Sequence, residues 1–314
     1  MGLTIVITGA AGFIGQATVA AALRHGHHVR AITRRPTDLF PNPVETIALD
    51  LAEPTDTLDH ALDQADVVIH AAASMSGDPA RTARDTLTAT QNLLTAMQQT
   101  APRARLVLLS SITVYDATAT TITEDTPLDP HPTRRDTYAQ AKLAQEAALA
   151  GTPIETWIAR PGAVFGPGRI WNAHLGPTFG PLLLRLGSAG ELPLLTRESC
   201  AEALIKAAET PVPGGGHHPL NLVADDLPTR ARFLAALGPH APRLSLPFPW
   251  TLLALVGTLL SPLPIRLPGL LRPRTLRARF GAKTYSNARA QSALGWRAGQ
   301  PFENAMRAAL EPPL

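Results

Sequence analysis

The chain has 314 residues, 45% of them apolar and 17% charged, enough apolar material for a substantial core and too much for whole-chain disorder. Its formal charge of +3 rests on arginine, since lysine occurs only as Lys142, Lys206 and Lys283, and without a zinc motif or aromatic-basic signature nucleic acid is not an expected partner. No apolar run reaches the roughly 18 to 20 residues that span a bilayer as a helix. A strand starting at Leu3 leaves no room before it for a signal peptide. The single Cys200 excludes an intrachain disulfide and a cysteine metal cluster, so a reducing, cytoplasmic setting without metal is expected.

Along the chain, Leu3–Thr8 is a β-branched run that predicts a strand, followed by glycines and a helix over Gln16–His25 that Gly26 can cap. Strands are predicted at Val29–Thr33, Thr46–Leu49, Val67–His70, Leu106–Leu109 and Ile154–Ala159. Between them stand helical patterns at Asp56–Gln64, Ala80–Gln99 and Asp136–Ala150. This alternation predicts an α/β fold, a doubly wound parallel sheet covered on both faces. After Arg160 the rhythm breaks; Gly and Pro crowd residues 161–193, and one clear helix follows at Glu198–Glu209. The expected division is a dinucleotide-binding portion at 1–166, to which a strand near Pro219–Val223 can return, and a smaller C-terminal substrate-binding portion at 167–314.

The first strand runs into Thr8-Gly9-Ala10-Ala11-Gly12-Phe13-Ile14-Gly15 and then a helix. Glycines there let the backbone turn tightly and approach a pyrophosphate, whose charge a helix N-terminus favours. Alone such a loop is a plain tight turn; after the first strand of a βαβ pattern it reads as a dinucleotide site. The second strand ends in Thr33-Arg34-Arg35, where an acid would select NAD, and two guanidiniums there favour the 2′-phosphate of NADP(H). The bland alternative is a solvated basic turn. Asp50, after the third strand, could meet an adenine amino group or simply start a turn.

Tyr138-Ala139-Gln140-Ala141-Lys142 places a phenol and an amine four apart on one helix face. An ammonium beside a phenol lowers the phenol's pKa toward neutrality, suiting it to proton transfer. With three tyrosines and three lysines in the chain, chance would give such a pair only ~0.03 times, although an exposed cation–π pair is the structural alternative. Ser110-Ser111 close the fifth strand, where sheets of this class bind ligands, and a hydroxyl there could donate to a carbonyl oxygen or merely form a turn.

Together these segments resemble an extended short-chain dehydrogenase/reductase over nearly the whole chain. The resemblance rests on Thr8–Gly15, Asp50-Leu51, His70–Ala73, Ser110–Tyr115, Tyr138–Lys142, Arg160-Pro161-Gly162-Ala163-Val164-Phe165-Gly166-Pro167-Gly168 and Ala293-Leu294-Gly295-Trp296. It implies that Ser111 is the catalytic hydroxyl, Tyr138 the general acid/base, and Lys142 the holder of the nicotinamide ribose. It further implies that Ala71, Ala72 and Ala73 line the middle of the cofactor, that Pro161 to Val164 line the nicotinamide, and that Asp50 and Leu51 stand near the adenine. A homodimer through 80–99 and 136–150 is what the family suggests. The chain departs from the family pattern at Thr86, where asparagine is usual, at Ala141, often serine, and at Glu198-Ser199-Cys200, where an acidic motif is common.

Sugar-nucleotide members usually carry an asparagine where this chain reads Pro161-Gly162-Ala163-Val164, and dehydratases an Asp-Glu where Ile112-Thr113 follow Ser111. The expected branch is therefore the one resembling 3β-hydroxysteroid dehydrogenases and dihydroflavonol reductases. That reading is an NADPH-dependent reductase of a carbonyl on a hydrophobic or polycyclic molecule. A sugar-nucleotide epimerase or dehydratase and a non-catalytic NADPH sensor are the alternatives. The apolar stretch Leu244–Leu271, with Arg266, Arg272, Arg274, Arg277, Arg279 and Lys283 near or after its end, is read first as core, then as a hydrophobic substrate wall, then as a peripheral membrane contact. Trp171 and His174 are candidate substrate contacts, with a buried tryptophan and a surface histidine as the plainer expectation.

Overall fold

The computed structural model describes residues 2–311 except 54, 172, 188, 262–267, 269 and 270. Strand β1 (Thr4–Thr8) leads through the glycine loop into α1 (Phe13–Arg24), followed by β2 (His28–Thr33), β3 (Glu45–Ala48), α2 (Asp56–Leu62) and β4 (Val67–His70). A single long helical run follows, made of α3 (Pro79–Thr82), a π-helical turn at Ala83–Thr88 and α4 (Ala89–Thr100). After β5 (Arg105–Leu109) come β6 (Thr121–Ile122), α5 (Thr137–Ala147), β7 (Thr156–Pro161) and β8 (Ala163–Phe165). The C-terminal half holds β9 (Thr178–Phe179), β10 (Leu182–Leu186), β11 (Leu194–Thr196), α6 (Arg197–Glu209), β12 (His217–Leu222), α7 (Arg230–Ala236) and β13 (Leu244–Phe248). It closes with α8 (Trp250–Leu260), α9 (Pro273–Phe280), β14 (Thr284–Tyr285), α10 (Ala288–Leu294) and α11 (Phe302–Leu310).

Seven strands form one parallel sheet in the order β12-β7-β5-β4-β1-β2-β3. This is the doubly wound arrangement, and its direction of winding reverses between β1 and β4, where ligands bind outside the carboxyl ends. Side chains of β1 alternate between two cores: Ile5 and Ile7 join α1 and α6 on one face, and Val6 joins α2 and α4 on the other. Burial on both faces explains why these strands read as continuous apolar runs. The late strand expected near Pro219 is β12, on the sheet edge beside β7, and α6 packs into the same core as β1. Thus α6 and β12 return to the large sheet and its core, while β11 pairs with β8 in a separate two-stranded sheet.

Helix α1 begins at Phe13, three residues before the sequence expectation. The helix former rules disfavour Gly15 in a first turn, but a Cβ there would overlap the carbonyl oxygens of Gly9 and Ala10, so only glycine fits. The far end of α1 is tied to α6 by His25, whose Nδ1 meets Glu209 at 2.8 Å and whose Nε2 meets Glu202 at 2.9 Å. His27 adds its Nε2 to the Glu209 carboxylate at 3.2 Å and accepts the Leu3 amide at Nδ1. With Nδ1 accepting, the neutral His27 ring carries its proton on Nε2 and offers no lone pair there, so His25, His27 and Glu209 make a hydrogen-bonded clamp and not a cation site.

The reading of Leu244–Leu271 as chiefly core needs correction. Trp250, Leu253 and Ala254 of α8 do pack on Leu186, Leu276 and Phe280, but Leu252, Leu255, Val256 and Leu259 face outward. Helix α9 covers only one stripe of α8, approaching closely at Gly257, where a Cβ would overlap the Leu271 carbonyl. Arg266 and its neighbours at 262–267 lie outside the described residues. Among the described residues, no helix is long and apolar enough to cross a membrane.

Candidate active site

A cleft of about 570 Å³ opens at the carboxyl ends of β1, β4, β5 and β7. Gly9, Gly12, Phe13, Ile14 and Gly15 form one end of its floor, Ala71 and Ala73 the middle, and Ser111, Tyr138, Lys142, Pro161 and Val164 the far end. The cradle fits a nucleotide pyrophosphate on its own geometry. Gly9 has φ +67°, and a Cβ on it would come within 2.7 Å of the Ala72 amide. Helix α1 starts with an extended Gly12, with no side-chain cap and no acid in its first turn, which leaves its amides open to an anion.

Ser111 follows β5 and Tyr138 stands in the first turn of α5, where Asp136 caps the helix by accepting from the Ala139 amide at 3.0 Å. The two residues line the cleft together, and Ser111 Oγ also accepts from the Thr113 amide at 3.3 Å. Burial raises the pKa of the Tyr138 phenol, opposed by Ser111, while Asp136 pushes it up further and Arg169 lowers it. Lys142 does not act on the phenol as the four-residue spacing suggested. Its ammonium instead donates to the Leu109 carbonyl at 2.6 Å and to Gln145 Oε1 at 2.8 Å. Burial pulls the Lys142 pKa down to about 7, with Glu146 opposing.

Behind Lys142 runs a buried polar chain that the sequence reading did not find. Gln145 Nε2 donates to Thr90 Oγ1 at 2.8 Å, and Thr90 donates to the Thr86 carbonyl at 2.6 Å. His70 Nε2 meets Thr90 Oγ1 at 2.9 Å, and Nδ1 meets Thr8 Oγ1 at 2.7 Å. Since the Thr90 proton is committed to Thr86, His70 donates from Nε2 and accepts from Thr8. Burial, and then the Lys142 charge, hold His70 neutral with a pKa of about 3. The chain thus links Lys142 to the residue preceding the glycine loop. Only the Thr86–Thr90 and Lys142–Gln145 spacings, four and three apart on two helices, are local; the cross-strand partners carry no local signal.

Other expected residues lie apart from this floor. Arg34 is half exposed and pairs with the buried Asp85 at 3.1 Å, which also holds Arg84 at 2.9 Å and Arg81 at 3.6 Å. Asp50 starts the turn at Ala52 by accepting its amide at 3.0 Å and pairs with Arg84 at 2.9 Å. Leu51 is buried in the core, and the backbone of Arg35 accepts from Thr33 Oγ1 at 2.8 Å. Arg34, Arg35, Asp50, Leu51 and Ala72 do not line the cleft, although Ala72 backs the glycine loop. Arg81 and Arg84 add cations at the end of β2 and β3 that the sequence reading missed, because they come from the helical run 79–100.

The plainer expectation for Trp171 and His174 is reversed. Trp171 is 39% exposed and His174 is half-buried, with burial taking its pKa down to about 3, and both line the cleft. Cys200 is buried in the core and its thiol pKa is pushed up to about 12. Beneath Ser110, Glu146 accepts from Arg160 Nη2 at 2.6 Å and Nε at 2.9 Å, while Arg160 Nη1 donates to the Tyr115 hydroxyl at 2.9 Å. Tyr115 in turn donates to Asn221 Oδ1 at 2.6 Å, which ties the segment after β5 to β12.

Residues 5–186 match the NAD dependent epimerase/dehydratase family. The chain belongs to that family. Within it, the chain is 29% identical over 217 residues to the ceramide reductase of Caulobacter vibrioides, a match that covers 67% of this chain and 62% of that protein. It is 33% identical over 175 residues to the GDP-6-deoxy-D-mannose reductase of Pseudomonas aeruginosa, covering 52% and 53% of the two chains. The chain therefore spans somewhat under two thirds of the length of these curated relatives. Among solved structures, MoeE5 in complex with UDP-glucose and NAD is similar with a TM-score of 0.71 and 23% identity, over 98% of this chain and 97% of that one. The fold and the family are those of the extended short-chain dehydrogenases/reductases.

Proposed function

We propose that the chain is an NADP(H)-dependent reductase of a carbonyl group on a hydrophobic or polycyclic small molecule. The observation that carries this is the juxtaposition of Ser111 and Tyr138 at the end of a cleft whose other end is a glycine cradle. Gly9, Gly12 and Gly15 would hold the pyrophosphate, Lys142 the nicotinamide ribose, and Pro161 and Val164 the ring. Arg34 and Arg35, with Arg84 beside them, would meet the 2′-phosphate, while Asp50, Leu51, Ala71, Ala72 and Ala73 flank the adenine and the middle of the cofactor. The reduced cofactor supplies a hydride to the carbonyl carbon.

Tyr138 does the complementary work. Burial keeps its phenol protonated, so it can deliver a proton to the carbonyl oxygen as negative charge grows there. Ser111 donates to the same oxygen and steadies that charge. The hydride and the proton together turn the carbonyl into an alcohol, leaving oxidised cofactor and a tyrosinate that regains its proton from solvent. Substrate-side walls include Met75, Ile112, Ile122, Trp171, Ala278 and Tyr285, which suit an apolar body. We infer that residues 167–193, 223–287 and 299–314 form the substrate-covering portion, since 194–222 and the segment from Ala290 to Ala298 pack with the nucleotide-binding sheet. The ceramide reductase likeness supports a lipid-like substrate class.

The competing reading is a sugar-nucleotide epimerase or dehydratase, favoured by Arg169 and Arg279 in the cleft, which could meet a diphosphate. Following reduced-nicotinamide absorbance with long-chain or polycyclic ketones, and separately with UDP- and dTDP-sugars, tests the two. Stoichiometric NADPH loss with the ketones supports the proposal; conversion of a sugar nucleotide without net cofactor loss contradicts it.

A further inference from the structure

The C-terminal portion carries an apolar surface that folding leaves open. Strands β9, β10 and β13 form a sheet in which Leu182 pairs with both Phe179 and Leu244, and Leu184 with Leu246. Paired residues share a face, and so do residues two apart on a strand. Phe179, Leu182, Leu184, Leu244 and Leu246 therefore lie on one face, where Phe179 is 63% and Leu244 53% exposed. The same face continues to Leu186 and Phe248, and there the inner stripe of α8 covers it. On the outer side of α8, Leu252, Leu255 and Leu259 are 50%, 56% and 69% exposed. A surface of aliphatic side chains thus runs from the sheet onto the helix, where isolated apolar residues would be ordinary.

Its charge is one-sided. From Leu227 to Phe302 the sequence holds eleven arginines and lysines and not one aspartate or glutamate. Arg232, Arg274, Arg279 and Arg289 reach carboxylates from other segments. Arg243, next to Leu244, and Arg277, on α9, are exposed with no carboxylate partner among the described residues.

We propose that this surface docks on an anionic lipid bilayer, with α8 lying in the interface, its outer leucines in the acyl boundary and Arg243 and Arg277 among the headgroups. The charge pattern selects this occupant over a second copy of the chain. A two-fold interface sets the same patch against itself, and here it would bring arginines together with no acid from either side. Helix α9, packed under α8, also lines the active cleft through Thr275, Ala278 and Arg279, so the docked face stands beside the mouth of the cleft. Docking needs neither the cofactor nor the carbonyl chemistry proposed above, and its test reads no activity.

The test is co-sedimentation of the full chain with vesicles of phosphatidylcholine alone and of an equal mixture of phosphatidylcholine and phosphatidylglycerol. Capture by the mixed vesicles is expected, weakened at least about tenfold by high salt and by the triple substitution L252S/L255S/L259S. R243E/R277E should weaken it comparably. These side chains are exposed, so an unchanged melting temperature in each variant shows that the fold is intact. Absence of capture by the mixed vesicles overturns the proposal, and so does equal capture by both kinds. A dimer in light scattering that L252S/L255S/L259S dissociates, without vesicle capture, also overturns it, in favour of a second copy.

Discussion

The ammonium of Lys142 donates to the carbonyl oxygen of Leu109 at 2.6 Å and so pins α5 to the carboxyl end of β5. Ser111 stands two residues beyond Leu109, and Tyr138 one helical turn before Lys142, so this one bond sets the register in which the two hydroxyls meet. Removing the amine should therefore loosen the pair as well as the ribose contact. The titration of Lys142 gives a separate handle. Its folded pKa is about 7 against 10.5 for the ordinary group, so between those values the unfolded chain binds a proton that the native one does not, and stability rises with pH across that window. Lys142→Met should lack this contribution; urea unfolding midpoints of both proteins from pH 7 to 10.5 check it.

The proposed preference for NADP(H) rests on Arg34. It shares Asp85 with Arg81 and Arg84, so three guanidiniums surround one buried carboxylate after β2 and leave net positive charge for a phosphate. Arg34→Ala should weaken NADPH by about tenfold while leaving NADH nearly unchanged. Fluorescence titration with each cofactor checks this, and an unchanged ratio of the two affinities contradicts the assignment.

The His25 clamp predicts a pH effect of opposite sense to that of Lys142. Its pKa is raised from 6.5, with Glu209 the largest cause and Glu202 next among the raising groups, burial opposing them. Its stabilisation is fully present below 6.5 and is lost as pH rises through the higher folded value. His25→Gln should lower the melting temperature below pH 6.5 and have less effect in alkaline buffer. The group is partly exposed, so the loss should be on the order of 1 kcal/mol or less.

Much of this was legible in the sequence where the signal is local. The β-branched run of β1, the glycines before α1 and the Tyr138–Lys142 spacing each depend on neighbours in the chain, and the seven-stranded sheet follows from the alternation they begin. Partners across the fold were not legible. Nothing near Lys142 in sequence announces Leu109, and nothing near Arg34 announces Asp85 and Arg84. The outward leucines of α8 were read as core because apolar composition cannot tell a covered face from an open one; that depends on α9 covering a single stripe. Tyr138 was expected to titrate low beside an ammonium, yet the ammonium is spent on a carbonyl and burial raises the phenol.

The most direct measurement compares the wild-type chain with Tyr138→Phe for NADPH binding by fluorescence and for NADPH oxidation with a long-chain or polycyclic ketone. The substitution keeps the ring and removes the proton donor, so binding should stay within about twofold while turnover falls by roughly 10²- to 10⁴-fold. Turnover of Tyr138→Phe equal to wild type, or a wild-type chain that binds no reduced nicotinamide cofactor, would contradict the account.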